Sequence, residues 1–105
     1  MTRPSYKLSY LPLFHTDLAN ITDYIAHTLN NSSAALRLLD DVESAIMTRL
    51  KRPLSHTPVP NQENRPTPYY SITVRNYTVF YVVIGDVMEV RRILHNRRNF
   101  PGLLP

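Results

Sequence analysis

The chain has 105 residues, 43% of them hydrophobic and 19% charged, a composition that fits one folded domain with a single core and argues against disorder or a second domain. It has no cysteine, which excludes a disulfide framework and a thiolate metal site, and the scattered His15, His27 and His56 offer no spacing for a metal. The net charge of +4 admits an anionic partner, and with no run near the ~18 apolar residues of a membrane span and nothing like a leader peptide, a cytoplasmic protein without a membrane partner is expected.

Tyr6, Leu8 and Tyr10 alternate with Lys7 and Ser9, so residues 5–10 read as a short first strand. Pro12 suits the first turn of a helix, where its missing N–H leaves nothing unpaired. Phe14, Leu18, Ile21, Ile25 and Leu29 recur at spacings of three and four, with Tyr24 beside them. That predicts an amphipathic helix from about Pro12 to Leu29. Asn30-Asn31-Ser32-Ser33 interrupts it and offers capping oxygens to a second helix. The second stripe is Ala35, Leu38, Leu39, Val42, Ile46 and Leu50, with Arg49, Lys51 and Arg52 at the negative end of the dipole and Pro53 as the stop. So short a connection makes the two helices an antiparallel hairpin. From Pro53 to Pro68, five prolines and no periodicity indicate a surface loop.

Three strands and a basic tail come next. Ser71–Val74 and Tyr77–Ile84 are dense in the β-branched and aromatic residues that suit a half-buried pleated surface. Gly85-Asp86 fits a two-residue turn in which Gly takes the positive φ of type II′. The register that turn predicts sets Ile84 opposite Val87, Val82 opposite Glu89, Phe80 opposite Arg91 and Thr78 opposite Ile93 on one face. On the other face Val83 meets Met88, Tyr81 meets Val90, Val79 meets Arg92 and Tyr77 meets Leu94. The second set is nearly all apolar and is expected to meet the helices. The first leaves Glu89, Arg91 and the Phe80 ring on an open face, with His95 in line beyond them. The order β-α-α-β-β-β is an α+β fold: a helical hairpin packed on one face of a mainly antiparallel sheet, as a single domain over 1–105 with a Pro-rich loop at 53–68.

These residues resemble a family. A short strand, a helix carrying DLANITDYIA, a second helix ending in LKRP, then SITVRNYTVFYVV, a hairpin turn and VMEVRRILHNRRN look like the RelE/ParE superfamily, the toxin halves of bacterial type II toxin–antitoxin modules. The similarity covers nearly the whole chain except the proline-rich loop. It implies a cognate antitoxin as partner, no cofactor, and one of two targets. RelE-like members cut messenger RNA on the ribosome with basic residues of the open sheet face; ParE-like members inhibit DNA gyrase and have no chemistry of their own.

RNA cleavage through the 2′-OH needs a base, cationic stabilisation of the phosphorane-like transition state, and an acid for the leaving 5′-oxygen. His95, Arg97 and Arg98 match the family's HxRR pattern and are the candidate catalytic residues, His95 as proton carrier and the arginines as phosphate contacts. Arg91, Glu89, Arg75, Tyr70 and Phe100 are candidates for RNA or partner binding. Glu89 could serve as a base but reads more readily as a cross-face ion-pair partner of an arginine, and His95 reads equally as a strand-end histidine bonded to backbone. Two departures favour the ParE-like alternative: Tyr70 stands where many members carry an arginine, and Phe100 lies near the place of a terminal tyrosine and cannot transfer a proton.

Overall fold

The computed structural model describes residues 5–60, 62, 65–98 and 102–105. Strand β1 (Lys7–Tyr10) leads into α1 (Pro12–Asp23), which ends in a π-helical turn, Tyr24–Thr28. Helix α2 (Ser32–Leu50) comes next, then β2 (Tyr70–Val74), β3 (Tyr77–Ile84) and β4 (Val87–His95). The sheet order is β1-β4-β3-β2. β1 runs parallel to β4, and the other two pairings are antiparallel. The expected α+β architecture is present, with both helices packed on a four-stranded mixed sheet.

Helix boundaries reflect local chemistry. Pro12 opens α1, and the Asn31 side chain accepts the Ala34 N–H at 3.1 Å to cap α2. Leu29 is exposed rather than buried. The π turn, closed by Leu29 N to Tyr24 O and Asn31 N to Ile25 O, inserts an extra residue and rotates Leu29 off the apolar stripe. Phe14, Leu38, Val42 and Ile46 meet Ile72, Val79, Tyr81, Met88 and Val90 in the main core. In the β3–β4 turn Gly85 has φ +61°, as the type II′ geometry requires.

One register expectation is corrected. From Ile84/Val87 to Tyr81/Val90 the pairing is as predicted, but then Phe80 faces Arg92, Val79 faces Ile93, Thr78 faces Leu94 and Tyr77 faces His95. Arg91 is the extra residue of a β-bulge. The physical reason lies in Arg92. An unbroken ladder would set its guanidinium opposite Val79, which is fully buried in the core, at a cost of several kcal/mol. The bulge puts Ile93 there instead and moves Leu94 into a second apolar cluster with Tyr69, Phe80 and Val82.

Arg92 is anchored by α1. β1 pairs with β4 only as far as Val90, and α1 covers the edge beyond it. Asp17 takes Arg92 Nε at 2.9 Å and Nη2 at 2.6 Å, and it also accepts the Ile93 N–H at 3.2 Å. The two side chains are only 14% and 9% exposed. The hydrogen bonds to Asp17 hold the Arg92 pKa above its ordinary value against the opposing effect of burial.

Candidate functional site: two basic clusters on opposite faces

The bulge separates residues that strand parity alone places together. Glu89 and Arg91 lie on the face of Val82, Phe80 and Tyr69, whereas His95 sits opposite Tyr77, on the helix-side face that carries Val79 and Ile93. The expectation that Arg91 and His95 share a face is therefore corrected: they flank opposite sides of the sheet.

The face carrying Arg91 is not open. Arg91 Nε donates to Glu89 at 2.8 Å and its Nη1 donates to the Tyr69 hydroxyl at 3.2 Å. Burial works to lower the Arg91 pKa, but the hydrogen bonds to Tyr69 and Glu89 prevail and the shift is upward. Arg65 and Arg91 both lie on the Tyr69 ring, with guanidinium carbons 5.0 and 5.6 Å from its centroid. Residues 103–105 then cross this face as a strap. Arg92 donates to the Leu103 carbonyl, Arg65 to those of Leu104 and Pro105, and the Tyr69 hydroxyl to Pro105. Leu103 and Leu104 pack on Tyr69, Phe80, Val82 and Leu94 together with Val59. Gln62 holds both backbone groups of Tyr69, so part of the proline-rich segment is pinned to the same face.

At the other site, the strand end, His95 Nδ1 accepts the Arg97 N–H at 3.1 Å and the ring meets Tyr77 edge-to-face at 5.3 Å. With Nδ1 accepting, a neutral His95 carries its proton on Nε2. Arg98 N closes the turn onto His95 O at 2.9 Å. Arg97 and Arg98 are exposed, so this end presents two solvated cations beside an imidazole. Burial, then the nearby Tyr24, raise the Tyr77 pKa.

The remaining candidates have other partners. Arg75 occupies the β2–β3 turn at φ +55°, and its guanidinium is paired with Asp41 on α2 at 2.6 Å. Tyr70 is a core residue, 8% exposed and stacked on Tyr81 at 5.5 Å. It is not placed to stack on a bound base, because strand alternation turns it toward the helices. Phe100 lies outside the described residues. Among the described residues no group of three metal-ligating side chains comes together, and no helix is long and apolar enough to cross a membrane.

Tyr69, Arg65, Asp17 and Arg92 organise these clusters without having stood out as site residues. Two adjacent arginines in the middle of an alternating strand were the available signal for the bulge, since one of them has to leave the core face. Nothing local marks Arg65 or Asp17, whose partners lie 39 and 75 residues away.

A helical pair on one face of a mixed sheet, with a bulged last strand and basic residues beyond it, defines a toxin fold of the RelE/ParE type. A family model described as the ParE toxin of the type II toxin–antitoxin system parDE matches residues 8–100, and the chain belongs to that family. Among solved structures, the chromosomal ParDE system from P. aeruginosa is similar with a TM-score of 0.73 at 17% identity, over 89% of this chain and 98% of that one. The RelB–RelE antitoxin–toxin complex from Methanococcus jannaschii is similar with a TM-score of 0.50 at 24% identity, over 85% and 91%. At those identities the likeness is one of fold. No curated protein matches the sequence.

Proposed function

We propose that this type II toxin acts by binding and inhibiting DNA gyrase rather than by cutting RNA, and that a cognate antitoxin holds it inactive. The observation that carries this is the bulge. Phosphoryl transfer requires base, acid and cationic stabiliser to converge within a few ångströms of one phosphate. Here Arg91 and Glu89 lie on the sheet face that the 103–105 strap crosses, while His95, Arg97 and Arg98 lie at the end of the other. The sheet face that an RNA-cutting relative uses is occupied by apolar contacts. The match to the ParE family and the ParDE system as a structural neighbour favour the same target. His95, Arg97 and Arg98 then serve as an exposed cationic contact surface for a protein partner, not as an acid–base set.

The test combines two assays on the same pulse of expression. Gyrase-trapped DNA breaks, an SOS response and intact messenger RNA are expected, with His95→Ala retaining toxicity. New 5′ ends within translated codons, abolished by His95→Ala or Arg98→Ala, would overturn the proposal in favour of the ribosome-dependent endoribonuclease. Purified toxin that leaves gyrase supercoiling unaffected would overturn it as well.

A further inference from the structure

Helix α2 ends in a basic groove that shares no residue with either cluster above. Thr48, Arg49, Lys51, Arg52, Ser55 and His56 line a cavity of about 400 Å³. A second cavity of about 390 Å³ continues from it, sharing Thr48, Arg49 and His56 and reaching Ile72 on the edge strand β2. Among the described residues no carboxylate lines either one. Three cations, Arg49, Lys51 and Arg52, therefore face one depression with no internal counter-charge.

Two features suit the groove to an anion. First, the helix terminus has been made less repulsive. The carbonyls of Thr48 and Arg49 accept the N–H groups of Lys51 and Arg52, and the Arg52 carbonyl accepts both the N–H and the hydroxyl of Ser55. The partial negative charge of a helix C-terminus resides on such carbonyls, and these are already occupied. Second, the donors are pre-set. Arg49 is fixed by Nη1 bonds to the Ser71 carbonyl at 3.1 Å and the Tyr81 hydroxyl at 3.0 Å. The Ser55 hydroxyl proton goes to the Arg52 carbonyl, so the 3.0 Å contact between Ser55 and His56 Nδ1 requires the proton on the histidine nitrogen. That bond uses the His56 Nδ1–H on Ser55, so the histidine lines the groove without being counted among the donors to an anion.

We propose that this groove binds the phosphodiester backbone of duplex DNA. Arg49 forms its floor, and Lys51 and Arg52 are rim cations. No Tyr, Phe or Trp lines the groove among the described residues, so it has no ring platform of the kind that single-stranded RNA uses for splayed bases. Backbone contacts without base stacking suit a duplex. The site is independent of the gyrase proposal, because it predicts DNA binding by the toxin alone.

Anisotropy of a fluorescein-labelled 20-bp DNA duplex, titrated with the full chain at several salt concentrations, tests it. Three phosphate contacts give a slope of log K against log[salt] of about −2.7, an affinity loss of roughly 40-fold between 50 and 200 mM salt. Lys51→Gln/Arg52→Gln removes two contacts, so the slope is expected near about −0.9 with binding at least about tenfold weaker at 50 mM. Both positions are exposed, and unchanged circular dichroism verifies that the fold is retained. Arg97→Gln/Arg98→Gln is expected to alter binding less than about twofold. Equal binding by Lys51→Gln/Arg52→Gln and the parent overturns the proposal, as does a salt slope carried wholly by Arg97 and Arg98. Tighter binding of a single-stranded RNA 20-mer, or displacement of the duplex by micromolar pyrophosphate, overturns the duplex assignment.

Discussion

Asp17→Ala removes the α1 carboxylate that anchors the bulged strand. In the parent, Asp17 makes two bonds to the Arg92 guanidinium and a third to the Ile93 N–H. After the substitution Arg92 keeps only the Leu103 carbonyl among its described partners, and the Ile93 N–H loses its acceptor. Both side chains of the pair are less than a fifth exposed, so water cannot replace the lost carboxylate without opening the α1–β4 contact. Breaking a buried pair from one side costs about 3–5 kcal/mol. A domain of this size holds on the order of 10 kcal/mol in all, so a third to a half of the stability is at stake. In urea unfolding followed by circular dichroism, the midpoint is expected to fall by about 2 M with little change in slope. The Ile93 amide should also exchange faster. Replacing both partners with apolar residues, Asp17→Leu/Arg92→Met, is expected to recover most of the loss, because no charge is then left buried, with about 1–3 kcal/mol remaining for the Ile93 N–H left without its acceptor. A cost below about 1 kcal/mol for Asp17→Ala would refute the account of how the bulge is held.

The strap and the tyrosine core give two further expected outcomes. Arg65→Ala removes the donor to Leu104 and Pro105 and one cation from the Tyr69 ring. Amide exchange at Leu103 and Leu104 should quicken several-fold while the core strands stay protected, with global stability changing by no more than about 1 kcal/mol; unchanged exchange would mean the apolar contacts alone hold the strap. Burial raises the Tyr81 pKa above 10.0, against the opposing bond from Arg49. The folded state therefore keeps the proton to higher pH than the unfolded chain, so stability is complete below about pH 10 and declines as pH rises through the folded value. Tyr81→Phe should flatten that alkaline decline, and should cost about 1–3 kcal/mol at neutral pH by leaving the Pro53 carbonyl and one Arg49 donor unpaired.

Much of this fold was legible in the sequence because its signals are local. Stripes at Phe14, Leu18, Leu38, Val42 and Ile46 reflect the 3.6-residue period of a helix, and Pro12, Asn31 and Gly85 act through their own backbone chemistry. The basic residues from Arg91 to Arg98 were equally visible, and so was the family. Their arrangement was not. Alternation assigns faces only while the ladder is regular, and a single bulged residue at Arg91 exchanges the faces of everything after it. Where the bulge falls depends on what each face can bury: Ile93 and not Arg92 beside Val79, with Asp17 arriving from a helix 75 residues earlier to hold the displaced guanidinium. The strap over Tyr69 is of the same kind, since Arg65, Arg92 and Tyr69 reach residues 103–105 only once the sheet has formed. Sequence alone determined the elements, their order and the charges they carry. Tertiary structure decided which charges share a surface, because long-range burial and pairing set the register on which facing depends.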